Sequence, residues 1–164
     1  MSTGSLEQQA DGSATIRFVR RLDHPVEKVW GAITEPAEMR RWWGVGTVDL
    51  REGGTFEVRW LNTDDEGNRS EMHATITRLE PPWLLETDGD MHGVLRWELE
   101  RDGDGTVLTF SSTLELPEEF RTKVLAGWHW HLDALAGALD GGTADLVDLP
   151  GWDTVHDRYV AAAR

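Results

Sequence analysis

The chain has 164 residues, with 16 Lys plus Arg against 30 Asp plus Glu, no Cys and a formal charge of -14. At this length one domain buries roughly 70% of its unfolded surface, so a core forms without staples; the lack of Cys excludes disulfides, thiolate zinc sites and cysteine nucleophiles. The acidic balance argues against nucleic acid and anionic membrane surfaces, both of which are held by Lys and Arg.

Met1 to Ser13 has neither a basic n-region nor an apolar h-region, and it reads as a disordered lead (1–13) rather than a secretion signal. No stretch approaches the ~18 consecutive apolar residues of a membrane span. A cytoplasmic protein without membrane insertion is the expectation. From Ala14 to Leu22 the pattern alternates, with Ile16, Phe18 and Leu22 on one side and Arg20 as the inward exception, which predicts a half-buried strand. Pro25 then opens a helix carrying Val26, Val29, Trp30 and Ile33, and Pro36 opens a shorter one to about Arg41, past which stand Trp42 and Trp43.

After Gly44 the chain turns to period two. Six more strands are predicted, near 46–51, 54–61, 69–79, 83–88, 93–101 and 105–115, separated by turn chemistry such as Gly53-Gly54, Asp64 to Asn68 and Asp102 to Gly105. Residues 61–120 carry 15 acids against 4 bases. That charge reads as the solvent face and hairpin tips of an antiparallel meander, with docking of a protein partner on the acidic face as the alternative. The apolar face needs a cover, and residues 117–140 supply it: Pro117 opens, Gly141-Gly142 closes, and Leu125, Trp128, Leu132, Leu135 and Leu139 form a stripe on a long helix. A loop with Pro150 and a short amphipathic helix with Val155, Tyr159 and Ala162 end the chain. This segment, 143–164, packs on the same domain (14–142), either closing a pocket or mediating a homodimer.

This order is that of the α+β helix-grip (Bet v 1-like) fold: a curved seven-stranded antiparallel sheet wrapped around a long C-terminal helix, with two short helices between strands 1 and 2. Residues His24 to Trp30, Thr34-Glu35-Pro36, Trp42-Trp43, Gly53 to Phe56, Glu80-Pro81-Pro82, Gly105-Thr106, Gly127-Trp128 and His131-Leu132-Asp133 with Leu135 carry a further likeness. Over roughly 14–142 the chain resembles the family related to the C-terminal domain of the activator of the Hsp90 ATPase, within the START-related (SRPBCC) superfamily. The resemblance implies the fold, and for function it implies ligand binding, a polyketide cyclase or dehydratase-like activity, or a chaperone-associated interaction module. Hsp90 activators of the family carry an additional N-terminal domain, and about 13 residues precede the first strand here, so that activity is not carried over.

Nine Trp bear on what fills the space between helix and sheet. They either make an aromatic core, each indole N–H finding a partner, or wall a cavity for a small hydrophobic or aromatic molecule. Trp43, Phe56, Trp97, Phe110 and Trp128 are the expected wall, with Leu132 and Leu135 beside them; Trp60, Trp83, Trp130 and Trp152 receive no place from the pattern. Arg20 and His131 are the polar groups expected to face inward and are the catalytic candidates, against bland readings in which Arg20 pairs with Glu57 or Glu98 and His131 bonds to the sheet. His129 and His131 point about 200° apart on a helix and cannot share an ion. No metal and no cofactor are expected, and non-catalytic binding of a small apolar or aromatic molecule is the leading functional expectation.

Overall fold

The computed structural model describes residues 3–164. Its eight strands are β1 (Ser5–Gln8), β2 (Ala14–Leu22), β3 (Val45–Val48), β4 (Thr55–Thr63), β5 (Arg69–Glu80), β6 (Leu84–Gly89), β7 (Gly93–Asp102) and β8 (Gly105–Leu114). The helices are α1 (Val26–Thr34), α2 (Pro36–Met39), α3 (Arg121–Leu139) and α4 (Trp152–Ala162). All strands form one antiparallel sheet in the order β1-β2-β8-β7-β6-β5-β4-β3. The meander from β3 to β8 is therefore completed by β2, which lies against β8, and α3 covers the apolar face. This is the helix-grip α+β architecture.

The strand β1 corrects the expected count of seven. It lies inside the lead that composition marks as disordered, while Met1 and Ser2, which belong to the same expectation, lie outside the described residues. The segment is polar and has no core-forming pattern of its own; its order comes from pairing with β2 (Leu6 opposite Ile16) and from two anchors. The Gly4 N–H donates to Tyr159 Oη at 2.8 Å. Gly4 also lies so close to the Phe18 ring that a Cβ there would stand 2.4 Å from it. Neither contact is visible to a local pattern, because one partner is 155 residues away.

Alternation along β2 holds, with Ile16, Phe18, Arg20 and Leu22 all buried. β3 is shorter than expected because residues 49–54 leave the sheet in a turn, where Arg51 N–H bonds Asp49 O and Gly54 N–H bonds Arg51 O. At the start of the long helix, Glu118–Phe120 are a 3₁₀ turn before α3 begins at Arg121. α3 is buried beyond its predicted stripe: His129, Trp130 and His131 are buried as well. α4 and the 143–151 loop close over the face turned away from the sheet, where Trp130 Nε1 donates to Pro150 O and His129 Nδ1 meets Tyr159 Oη. Among the described residues, no helix is long and apolar enough to cross a membrane.

Tyr159→Phe removes the acceptor of Gly4 and the hydroxyl facing His129, each a bond worth about 1 kcal/mol. Amide exchange in β1 is expected to quicken more than in β7; equal changes in the two strands would show that Tyr159 does not anchor the lead.

Candidate functional site

Trp43 follows α2 and enters the concave side of the sheet, where it is fully buried. Five rings surround it: Trp42, Phe56, Trp60, Trp97 and Trp128, with centroids 5.1 to 6.0 Å away. Phe110 packs 4.5 Å from both Trp97 and Trp128. Ring pairs at such distances in tilted and edge arrangements add to the area they bury. The centre of the helix-sheet space is thus filled by aromatic side chains, and Leu132 and Leu135 belong to the same core.

The free space lies beside this core. A cleft of about 1020 Å³, open to solvent, runs between α3 and the end of the sheet formed by β4, the β4–β5 turn and the β6–β7 turn. The 147–151 loop and the start of α4 make its far wall. It coincides with the place where β4 loses register against β5, between Arg59 and Thr63. Such irregularity bends a strand and re-aims its side chains; Trp60, Asn62 and Thr63 line the cleft there. Of the residues expected in a ligand wall, Trp128 and His131 line it, whereas Trp43, Phe56, Trp97, Phe110, Leu132 and Leu135 sit in the core and outside its lining.

His131 is held from both sides. An indole N–H can only donate, so the Trp60 Nε1 contact at 3.2 Å makes His131 Nε2 an unprotonated acceptor. Nδ1, 2.9 Å from the Trp42 carbonyl, carries the proton. Burial pushes the pKa down to about 4 against the opposing pull of that carbonyl. The ring is a neutral clamp joining α3 to β4 and to the end of α2, and neither nitrogen is free for proton transfer. The bland reading of a sheet-bonded histidine holds through the Trp60 side chain.

Arg20 is also claimed, though not by Glu57 or Glu98. Its Nη1 bonds Asp133 Oδ1 at 2.6 Å, and His129 Nε2 stands 3.4 Å from Asp133 Oδ2. β2 runs between β1 and β8 rather than beside β4, which carries Glu57, or β7, which carries Glu98, and α3 supplies the carboxylate. Burial raises the Asp133 pKa, but His129 and Arg20 outweigh it and hold the carboxyl below its usual range. Arg20 lies outside the cleft lining.

Sequence reasoning gave no site role to His92, Asn62 or Gly127, whereas the 147–151 loop falls in 143–164, for which closing a pocket was one of the two readings. His92 sits in the β6–β7 turn, which Gly93 closes at φ 64 with its Cβ position 2.1 Å from Thr113 O, so only glycine fits. The His92 ring packs against Trp60 and Trp128 at 5.4 and 5.2 Å. Its pKa is pushed down to about 4, chiefly by burial and also by neighbouring His131, with Asp90 opposing. Three buried polar atoms in the lining lack hydrogen-bond partners among the described residues: His92 Nδ1, Asn62 Oδ1 and Trp128 Nε1. The available signals were Met91-His92, an apolar interruption in an acidic turn, and Gly127, a glycine inside a helix whose presence costs about 1 kcal/mol against alanine.

Because His131 stays neutral in the folded chain down to about pH 4 but titrates near 6.5 when unfolded, stability is full above that value. It falls as pH drops between the two, by about 3 kcal/mol from this residue. His131→Gln, which cannot titrate, is expected to lose less stability over that window in urea titrations; parallel loss in both proteins would contradict the clamp.

The comparisons with known proteins fit this architecture. CalU16 from Micromonospora echinospora matches with 27% identity and a TM-score of 0.72, over 97% of this chain and 92% of that one. EF2215, a conserved protein of unknown function from Enterococcus faecalis, matches with 18% identity and a TM-score of 0.73, over 98% and 90%. The BPP1335 protein from Bordetella parapertussis matches with 24% identity and a TM-score of 0.69, over 98% and 94%. No curated protein matches the chain. The family model described as Activator of Hsp90 ATPase homolog 1-like protein matches residues 23–140, from the turn before α1 to the end of α3, and the chain belongs to that family.

Proposed function

We propose that the protein binds a small apolar or aromatic molecule, without catalysis, in the cleft between α3 and the β4–β7 end of the sheet. The observation that carries this reading is an aromatic-floored cleft of about 1020 Å³ lined by three buried polar atoms without partners among the described residues. Volumes of this order accommodate small organic ligands, and a few placed polar groups in an apolar wall fix their orientation. Leaving a buried donor or acceptor unpaired costs about 1–3 kcal/mol; a ligand, or water when none is bound, relieves that cost. The non-catalytic part of the reading is supported by His131, both of whose ring nitrogens are engaged in holding α3, and by Arg20, whose Nη1 is bound to Asp133 on α3 and which lies outside the cleft lining.

Gly127 gives a test that spares the fold. It faces the cleft from α3, and a Cβ there meets nothing within 4 Å. Gly127→Met is expected to raise the thermal midpoint slightly, through helix propensity, while its side chain occupies the cleft. Native mass spectra with fatty acids, flavonoids and polyketide-like aromatics are expected to give an adduct with the unmodified protein and at least about tenfold less with the variant. The proposal fails if no adduct forms, or if both proteins take up ligand equally.

A further inference from the structure

The mouth of the cleft is acidic in a way its floor is not. Four carboxylates line it: Asp64 and Asp65 from the β4–β5 turn, Asp148 from the loop and Asp153 from the first turn of α4, against the single cation Lys123. Asp64 has a structural task, accepting the N–H groups of Glu66 and Asn68 to close its turn. The carboxylates of Asp65, Asp148 and Asp153 make no hydrogen bond or ion pair among the described residues, and all three residues are exposed. Acidic residues alone would mean little on a chain of charge -14. Here they share a cleft with Trp128, a side chain only 3% exposed whose Nε1 donor has no partner among the described residues. The rings of Trp60, Trp128 and His92 pack against one another in the same lining.

Resting on the reading of the cleft as a ligand site, we infer that its ligand is a cation: an aromatic or planar molecule bearing a protonated amine, with a hydrogen-bond acceptor on its body. The ammonium group would stand among Asp65, Asp148 and Asp153, where carboxylates and indole faces both attract it. The planar body would lie against the Trp60, Trp128 and His92 rings, and its acceptor would take the Trp128 N–H. Two distant parts of the chain, the β4–β5 turn and the 147–153 segment, supply carboxylates to the same opening, which composition could not reveal.

The test uses three probes with one aromatic body: 1-naphthylmethylamine as cation, 1-naphthalenemethanol as neutral and 1-naphthaleneacetate as anion. Each is titrated calorimetrically against the intact protein, against Asp65→Asn/Asp148→Asn/Asp153→Asn, and against a control with the remote exposed acids changed, Glu7→Gln/Glu100→Gln/Asp104→Asn. The expected order is cation, neutral, anion, with the cation ahead of the neutral probe by roughly tenfold at low salt and by less at high salt. The rim variant removes that lead and leaves the neutral probe's affinity in place, while the control keeps the lead. Equal binding of cation and neutral probe overturns the inference and leaves the binding reading standing. A lead lost equally in both variants assigns it to overall charge and also overturns the inference. If no probe binds, the cleft is not a ligand site and both readings fall.

Discussion

The burial of Trp43 is the constraint on which the remaining arrangement depends. A helix laid across a concave sheet leaves a space that its own side chains cannot fill, and here an indole from the α2–β3 connection enters it and touches aromatic rings from α3, β4 and β7. Protein interiors are packed close to crystal density, so a plug of this size decides where volume can remain. It remains at the open end of the sheet, where β4 has lost its register against β5 and the 147–151 loop forms the far wall. The cleft is therefore a consequence of how the core is filled rather than a gap in the core.

Two polar devices hold the middle of α3 in that position. Toward the cleft, His131 takes an indole N–H and gives its own proton to a carbonyl, tying α3 to β4 and to the residue next to Trp43. Farther along, Asp133 receives Arg20 from β2 while His129 faces Tyr159 from α4. Arg20 is almost fully buried, and removal of its partner would leave an uncompensated charge inside the protein, a costlier loss than the absence of the pair altogether. Both side chains that sequence reasoning offered for catalysis thus bind across the helix-sheet boundary, His131 through both ring nitrogens and Arg20 through Nη1, while the unpartnered atoms of the cleft lining belong to His92, Asn62 and Trp128.

The division between what the sequence disclosed and what it withheld follows the range of the interactions. Alternation along β2, the 3-4 spacing of Leu125, Trp128, Leu132, Leu135 and Leu139, and the proline and glycine punctuation are local, and they yielded the fold class and most elements. Order in β1 depends on Tyr159 and Phe18, and the burial of Trp130 depends on Pro150, so no window of sequence contains either cause. The site suffered most from this. A stripe of large aromatics marks a helix-sheet interface but does not say whether the rings face each other or a void; Trp43, Trp97 and Phe110 face each other. The cleft is assembled from turns, a strand irregularity and a loop, the parts with the weakest patterns, and only Trp128 and His131 were reached from periodicity.

The indole N–H resonances separate the two placements of a ligand most directly. Trp42, Trp60 and Trp130 each donate to a protein acceptor, whereas the N–H groups of Trp43, deep in the core, and Trp128, in the cleft wall, have no partner among the described residues. Two-dimensional nitrogen-proton spectra recorded while an aromatic probe such as 1-naphthalenemethanol is added should move the Trp128 resonance first and furthest and leave that of Trp43 in place. Movement of Trp43 with Trp128 unchanged would put the ligand inside the aromatic core and contradict this account.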